Sequence, residues 1–439
     1  MSFKELMQWF IGIIFGVTSV LGVILPFGGV TRLTGKVTDG LPTVPDDFTP
    51  TVRIVVFTDS HNKNDHVADA IDTAYELFDS DDVYAGVDGF FGLGDFSSVG
   101  GEGDYVNYVA TLKEHVREET VCINIHGNHE FKNDNYREYF INNFGYEPDT
   151  VTEINGFKCI AFSGERSATE WTFTPQSLAW YSNAIKEAEK DNDGRAIFTF
   201  QHPHPWGTVY GSSVWGDPQI NVVLAGHNRI VNFSGHSHFP LNDPRSINQT
   251  TYTAVGCGAT ATFELENNYI PGQHPDGYDP ASQMCVVEAD NDGSVRIRGY
   301  DLLSDTYFCD YYVEDVNDTE NYAYTYRNMR ANDSKPVFPE DVSARAYKNE
   351  NGEWFLSFDE AGSNFIVHEY KVIVRNEKGK IIFSENFVDD YFVIDDDDTA
   401  DFRIGTDTLE SGKTYTLCVR AESAYHYYSD WLELEFTAE

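Results

Sequence analysis

Five short polar clusters stand in order along the chain: Asp59-Ser60-His61, Gly94-Asp95, Gly127-Asn128-His129-Glu130, Gln201-His202-Pro203-His204 and Gly235-His236-Ser237-His238. Aspartate, asparagine and histidine without cysteine suit hard or borderline divalent cations such as Mn, Zn or Fe better than a structural zinc cage. A carboxylate such as that of Asp95 can bridge two cations, and two metals about 3.5–4 Å apart can grip a phosphoryl group and activate a water between them. The chemistry on offer is therefore metal-assisted hydrolysis. Gly94, Gly127 and Gly235 let the backbone turn sharply beside the metals with no Cβ in the way. Each piece alone has a plainer reading. Asp-x-His and Gly-Asp are common turns, Gly-Asn-His suits a left-handed turn, and 13 histidines in 439 residues produce accidental His-x-His pairs. The ordered set of five carries the inference.

Such ligands need elements to hold them. Four clusters directly follow apolar runs, Ile54 to Phe57, Phe90 to Leu93, Val121 to Ile125 and Ala196 to Phe200, and the fifth follows Ile230 to Phe233. Apolar runs of this length bounded by glycine or polar residues predict buried strands. Side chains at the carboxyl ends of neighbouring strands converge on one crevice, where open sheets build their sites. Helical patterns over Asp65–Phe78, Tyr105–Val116, Tyr136–Phe144 and Pro175–Lys190 alternate with the strands, the last with Thr174 as cap and Pro175 in the first turn. From Thr251 through Phe308 the chain is β-rich. The pattern predicts an α/β unit, a four-layer αββα sandwich.

The cluster set resembles the calcineurin-like metallophosphoesterases, whose pattern runs D-x-H, G-D, G-N-H-D/E, a later His and G-H-x-H; the likeness spans about residues 53–302. That resemblance, which shares the αββα fold, implies that Asp59, His61, Asp95 and His238 hold one metal. It gives Asp95, Asn128, His202 and His236 to the other, with a water or hydroxide between them attacking phosphorus in line. His129 is implied as the group that protonates the leaving oxygen or steadies charge on the phosphoryl. The family ligand comes first after its strand, which selects His202 and leaves His204 near substrate. Glu130 has two readings, orienting His129 or standing free on the surface. The purple acid phosphatase branch carries Gly-Asp-x-x-Tyr. Here Ser98 stands where the tyrosinate would be, so a purple Fe(III) centre is not expected. Pro205 to Tyr210 either walls the substrate site or caps the core. The expected function is hydrolysis of a small phosphomonoester or phosphodiester. The alternative is a surface adhesion or ligand-binding protein with a catalytically silent phosphoesterase fold.

A chain of 439 residues implies two or three domains, and 41% hydrophobic with 15% aromatic content supports packed cores rather than disorder. With 30 Lys plus Arg against 71 Asp plus Glu, the net charge of −41 opposes nonspecific binding to nucleic acid. Six cysteines match no zinc spacing. Cys122 and Cys159 fall inside strand patterns as small hydrophobes, while Cys257, Cys285 and Cys309 have the option of pairing in an oxidising compartment. Trp9 to Phe27 is almost wholly apolar and uncharged, close to a bilayer span at about 1.5 Å per residue. It predicts a signal-anchor or signal-peptide-like helix, and hence an extracytoplasmic protein, membrane-anchored or secreted. The acidic run Asp395 to Asp398 reads as a solvated loop. From Pro336 short alternating strands begin, and Leu409 to Tyr415 ahead of Thr416 to Ala421 resembles the tyrosine corner of a fibronectin type III domain. The expected division is 1–28 helix, 29–50 linker, 51–312 metallophosphoesterase domain, 313–334 linker and 335–439 fibronectin type III-like domain. Because every candidate ligand lies before that last domain, the sandwich reads as an inert spacer whose removal leaves turnover intact.

Overall fold

The computed structural model describes residues 40–438 apart from 167–172, 192, 268–269, 275–277 and 395–398. The apolar segment expected to enter a membrane and the Asp395–Asp398 run lie outside the described residues. Among the described residues no helix is long and apolar enough to cross a membrane.

The chain first lays down three parallel strands, β1 (Val52–Phe57), β2 (Gly89–Gly92) and β3 (Val121–Asn124), joined by helices α1 (Asn64–Phe78) and α2 (Glu102–His115). After α3 (Tyr136–Phe144) a second sheet forms from β4 (Thr150–Ile154), β5 (Phe157–Phe162), β6 (Ile197–Gln201), β7 (Ile230–Ser234), β8 (Ile247–Gln249) and β9 (Thr253–Gly256), in the order β4-β5-β6-β7-β9-β8. Its crossovers carry α4 (Pro175–Ala188), the short α5 (Ser212–Trp215) and α6 (Pro218–Leu224). A hairpin, β10 (Leu265–Asn267) with β11 (Ile270–Gln273), precedes β12 (Gln283–Ala289), β13 (Val295–Asp301) and β14 (Thr306–Val313). These last three extend the first sheet antiparallel, giving β14-β13-β12-β1-β2-β3.

All six residues of β1 are buried, as a continuous apolar run must be when both faces of its strand are covered. The inner faces meet in one core, where Val56 and Phe91 of the first sheet join Phe200, Val231 and Phe233 of the second. Phe91 stacks on Phe200 with ring centroids 3.9 Å apart. On the outer faces, α1 and α2 bury Val67, Ile71 and Tyr108 against Val55 and Phe90. Opposite them, α4 and α6 bury Tyr181, Ile185 and Leu224 against Ile160 and Ile230. The architecture is the four-layer αββα arrangement read from the sequence. The helices also begin and end within three residues of their expected bounds, and the Thr174 side chain accepts from Ser177 N to cap α4.

The last hundred residues form two antiparallel sheets. One comprises β15 (Ala344–Lys348), β16 (Trp354–Asp359) and β19 (Thr399–Gly405); the other comprises β17 (Val367–Asn376), β18 (Ile381–Val388), β20 (Thr414–Ser423) and β21 (Leu432–Thr437). Trp354, Leu356, Tyr370, Val372, Leu417 and Val419 fill the space between them. Tyr415 Oη accepts from Glu410 N at 2.9 Å, the tie expected of a tyrosine corner.

Two expectations change. Residues 313–334, read as a linker from their Asn and Asp content, include α7 (Tyr326–Asn332) and send Val316, Tyr324 and Met329 into the main core. The few apolar residues there carry the packing while most polar neighbours, Thr325, Asn328 and Asp333 excepted, face water, so average composition concealed it. The sandwich is also docked rather than tethered. Ala424 and Tyr425 belong to the main core, and Phe392 packs with Ala259, Phe263 and Leu265. Arg245 clasps Asp243 through two hydrogen bonds of 2.8 and 2.6 Å, lies 3.7 Å over the Tyr210 ring and reaches His368 Nδ1 at 3.3 Å. All six cysteines are free thiols; Cys159 is buried as expected, Cys122 only partly.

Candidate metal centre

The five clusters meet at the carboxyl ends of β1, β2, β3, β6 and β7. Ligand atoms of Asp59, His61, Asp95 and His238 lie within 4.8 Å of one another, and so do those of Asp95, His202 and His236. Asp95 is common to both sets. Asn128, whose side-chain oxygen is 2.9 Å from His202 Nε2, stands beside the second set. The backbone adopts strained conformations to achieve this: φ is 55° at Asp59, 44° at His61, 50° at Asp95, 77° at His236 and 58° at His238. Left-handed conformations in non-glycine residues concentrate where a site dictates the chain path. Two glycines show how little room is left. A Cβ on Gly127 would strike the Asp95 carboxylate, and one on Gly235 would strike Thr58 and Asp59.

The carboxylates are held by one oxygen and left open at the other. Asp59 Oδ2 accepts from Thr58 Oγ1 at 2.7 Å and His236 N at 2.8 Å. Its Oδ1 is buried without a hydrogen-bond partner and faces Nε2 of His238 at 3.2 Å and of His202 at 3.9 Å. Asp95 Oδ1 accepts from His129 N at 2.7 Å, while Oδ2 faces His202 Nε2 at 3.2 Å. The histidines are oriented in the same sense. His202 Nδ1 donates to Leu93 O at 2.8 Å and His238 Nδ1 to Thr262 O at 2.6 Å, which turns each Nε2 inward, as metal-binding imidazoles require. A buried orphan carboxylate oxygen among inward-facing imidazole nitrogens fits a divalent cation.

Electrostatics agree. At His202 burial lowers the pKa, but Asp95 and Asp59 outweigh it and carry the imidazole up to about 9. His238 likewise loses by burial and gains more from Asp59, reaching about 9. Burial works to raise Asp59 and Asp95, yet the adjoining imidazoles hold both well below the usual carboxylate range. His61 falls to about 4 through burial and the neighbouring His238. Protons on His202 and His238 supply the positive charge these carboxylates demand, a place a cation can take.

His129 stands at the rim, its Nε2 3.9 Å from Asp95 Oδ2 and its ring 4.5 Å, centroid to centroid, from that of His61. His204 departs from expectation. It is 1% exposed, with Nδ1 2.7 Å from Ser234 Oγ and Nε2 2.8 Å from Ser237 Oγ. Both nitrogens are committed to the His236–His238 turn, so His204 braces that loop and does not face substrate. Glu130 is neither a surface residue nor a partner of the His129 ring. It is fully buried and takes backbone N–H bonds from Asp95, Ser97 and Gly127 at 2.9, 2.9 and 2.6 Å, so it ties the second cluster to the third. Val209 and Tyr210 point into the interior, so the end of the Pro205–Tyr210 stretch caps the core.

Three contributors escaped the sequence reading. Lys132 Nζ lies 2.8 Å from His129 Nδ1; its spacing three residues on is the signal that pointed there. Arg166 packs its guanidinium over Phe173 at 4.4 Å and Phe131 at 5.4 Å. Burial lowers its pKa, while Asp217 and Asp95 act to raise it. Trp215 meets His236 edge-on at 6.0 Å. Neither of the last two carried a local signal.

Residues 52–240 match the family model described as calcineurin-like phosphoesterase. This segment is a calcineurin-like phosphoesterase domain. No curated protein matches the chain. Among solved structures, a purple acid phosphatase from yellow lupin (Lupinus luteus) seeds aligns at 12% identity and TM-score 0.44, covering 63% of this chain and 55% of that one. The chain thus spans little more than half the length of the lupin protein. The cold-active protein-tyrosine phosphatase of a psychrophilic Shewanella aligns at 15% identity and TM-score 0.28 over 61% of this chain and 84% of that one. In the phosphoesterase domain here Ser98 turns its hydroxyl to His61 O at 3.1 Å, which leaves that position without a phenolate donor.

Proposed function

We propose that the chain is a metal-dependent phosphoesterase acting on small phosphate mono- or diesters with two divalent cations, Mn, Zn or Fe. The observation that carries this reading is a pair of inward-facing donor sets with Asp95 common to both. We assign Asp59, His61, Asp95 and His238 to one cation and Asp95, Asn128, His202 and His236 to the other. When bound, the cations would supply Lewis acidity toward phosphoryl oxygens and lower the pKa of a water toward neutrality.

The chain's own groups do the rest. His129 is tied through its backbone N–H to Asp95 Oδ1. Its Nδ1 lies 2.8 Å from both Ser98 O and Lys132 Nζ and can donate to the first or accept from the second, not both. In the tautomer that accepts from Lys132 the proton sits on Nε2, on the side of the cluster, ready for the leaving oxygen. Arg166, backed by two phenyl rings and sensing the Asp95 charge, is the cationic side chain we assign to the substrate phosphate. The sheet pattern and tyrosine corner of the last domain support a fibronectin type III-like module. The apolar amino-terminal run supports a membrane-anchored or secreted location, and the net charge of −41 argues against nucleic-acid partners.

Purified full chain, assayed on a panel of phosphate mono- and diesters that includes a chromogenic ester, tests the proposal. Chelation should abolish turnover, and Mn, Zn or Fe(II) should restore it. Stoichiometric metal with no turnover on any ester would replace this reading with that of a silent, ligand-binding fold.

A further inference from the structure

Three carboxylates of the C-terminal sandwich converge. Glu360 follows β16, and Asp389 and Asp390 follow β18; one ligand oxygen from each lies within 4.8 Å of the other two. Asp389 is 5% exposed, and its Oδ1 is buried with no hydrogen-bond partner. The charges that bear on it are those of Glu360 and Asp390. A buried carboxylate beside two others is costly unless something positive joins it. Asp390 is exposed and Glu360 half-buried, so an ion has a path in.

We propose that Glu360, Asp389 and Asp390 form a calcium site. The donors are all oxygen, which selects a hard cation. Carboxylates offered from two loops suit the flexible coordination of Ca²⁺ better than the strict octahedron of Mg²⁺. The site has a structural consequence. Tyr391, next in sequence, accepts from Asn242 Nδ2 at its carbonyl and donates to Asp243 Oδ2 at 3.2 Å. Phe392 is fully buried against Ala259 and Phe263. Calcium at this end of the sandwich fixes the segment that docks onto the loop after His238.

The test uses the full chain with its catalytic cations loaded. Equilibrium dialysis with radioactive Ca²⁺ should find one calcium per chain beyond any catalytic exchange, with Kd on the order of 10⁻⁴ M or tighter. Asp389→Asn or Glu360→Gln should weaken it at least about tenfold and leave small-ester turnover unchanged. Thermal unfolding gives a second readout. Without added calcium, Asp389→Asn should melt above wild type because it removes a repelled charge; in saturating calcium the order should reverse. Calcium binding equal in wild type and both variants overturns the proposal. So does Asp389→Asn remaining the more stable protein at every calcium concentration, which would mean that a proton, not a cation, neutralises Asp389. If Asp389→Asn does not fold, Glu360→Gln and the exposed Asp390→Asn decide by the same two measurements.

Discussion

The loops of the metal centre and the strands of the C-terminal sandwich are built on opposite terms. Around the metal centre the chain accepts left-handed backbone at Asp59, His61, Asn62, Asp95, His236 and His238, each costing on the order of 1–3 kcal/mol. It also buries three carboxylates, Asp59, Asp95 and Glu130, and several imidazoles. Within the described sandwich, His426 is the sole non-glycine residue with positive φ, and most buried positions are apolar and alternate along their strands. The phosphoesterase domain gives up local stability to aim ligands, whereas the sandwich conforms to local preference almost throughout. That contrast gives the sandwich a role the sequence reading missed: it is a regular body pressed against the loops that follow the metal ligands.

Removing 335–439 should sharpen this comparison most. The sequence alone suggested that turnover would survive. The docked interface predicts instead that the remainder loses its cooperative fold, because burying Tyr425 and Phe392 alone is worth about 3–6 kcal/mol against a typical total of about 5–15 kcal/mol. Solubility and a cooperative melt report the outcome; a truncated chain that melts and turns over like wild type would restore the spacer reading.

Asp95→Asn should lower turnover on the order of 10³-fold, about 4 kcal/mol of barrier, while the melting temperature stays near or above that of wild type once metal is removed. An amide cannot neutralise two cations as a carboxylate does. A variant that retains a tenth of wild-type rate would contradict the shared-ligand assignment.

His129→Ala should preserve metal content and slow esters with poor leaving groups by about 10²-fold or more, with a smaller loss on activated nitrophenyl esters. Equal losses on both would mean that His129 positions phosphate and does not donate a proton.

Acid should act on both regions at once. Burial, the largest cause in each case, carries His126, His204 and His368 down to about 3. Each is neutral in the folded chain but protonates near 6.5 once unfolded. Their contribution to stability is therefore full above about 6.5 and is lost as pH falls toward 3, by up to about 1.4 kcal/mol per pH unit per histidine. Denaturant midpoints from pH 7 to 4 measure the slope. His368→Gln should flatten it modestly, since this histidine lies in the interface between the domains.

Much of the candidate site was legible in the sequence. Ligating chemistry confines the choice to a few side chains, and buried parallel strands announce themselves as apolar runs; hence Asp59, His61, Asp95, Asn128, His202, His236 and His238 all fall at strand ends in one crevice. The αββα layers followed from the same alternation of strand and helix. What tertiary structure decided was where polar side chains point once the chain is closed. His202 and His204 are two residues apart and chemically alike, yet one faces Asp95 and the other is clasped by Ser234 and Ser237, because β6 ends at Gln201, just before them, and the backbone turns. Glu130 became a brace only when backbone N–H groups of Asp95 and Ser97 from one loop and Gly127 from another surrounded it. Trp215 reached His236 from a distant segment, and Asp389 met Glu360 across the sandwich. The sequence carries composition and local period, and these determine elements and ligand types. Orientation and partnership depend on contacts between residues far apart in the chain, which exist only after the layers have packed.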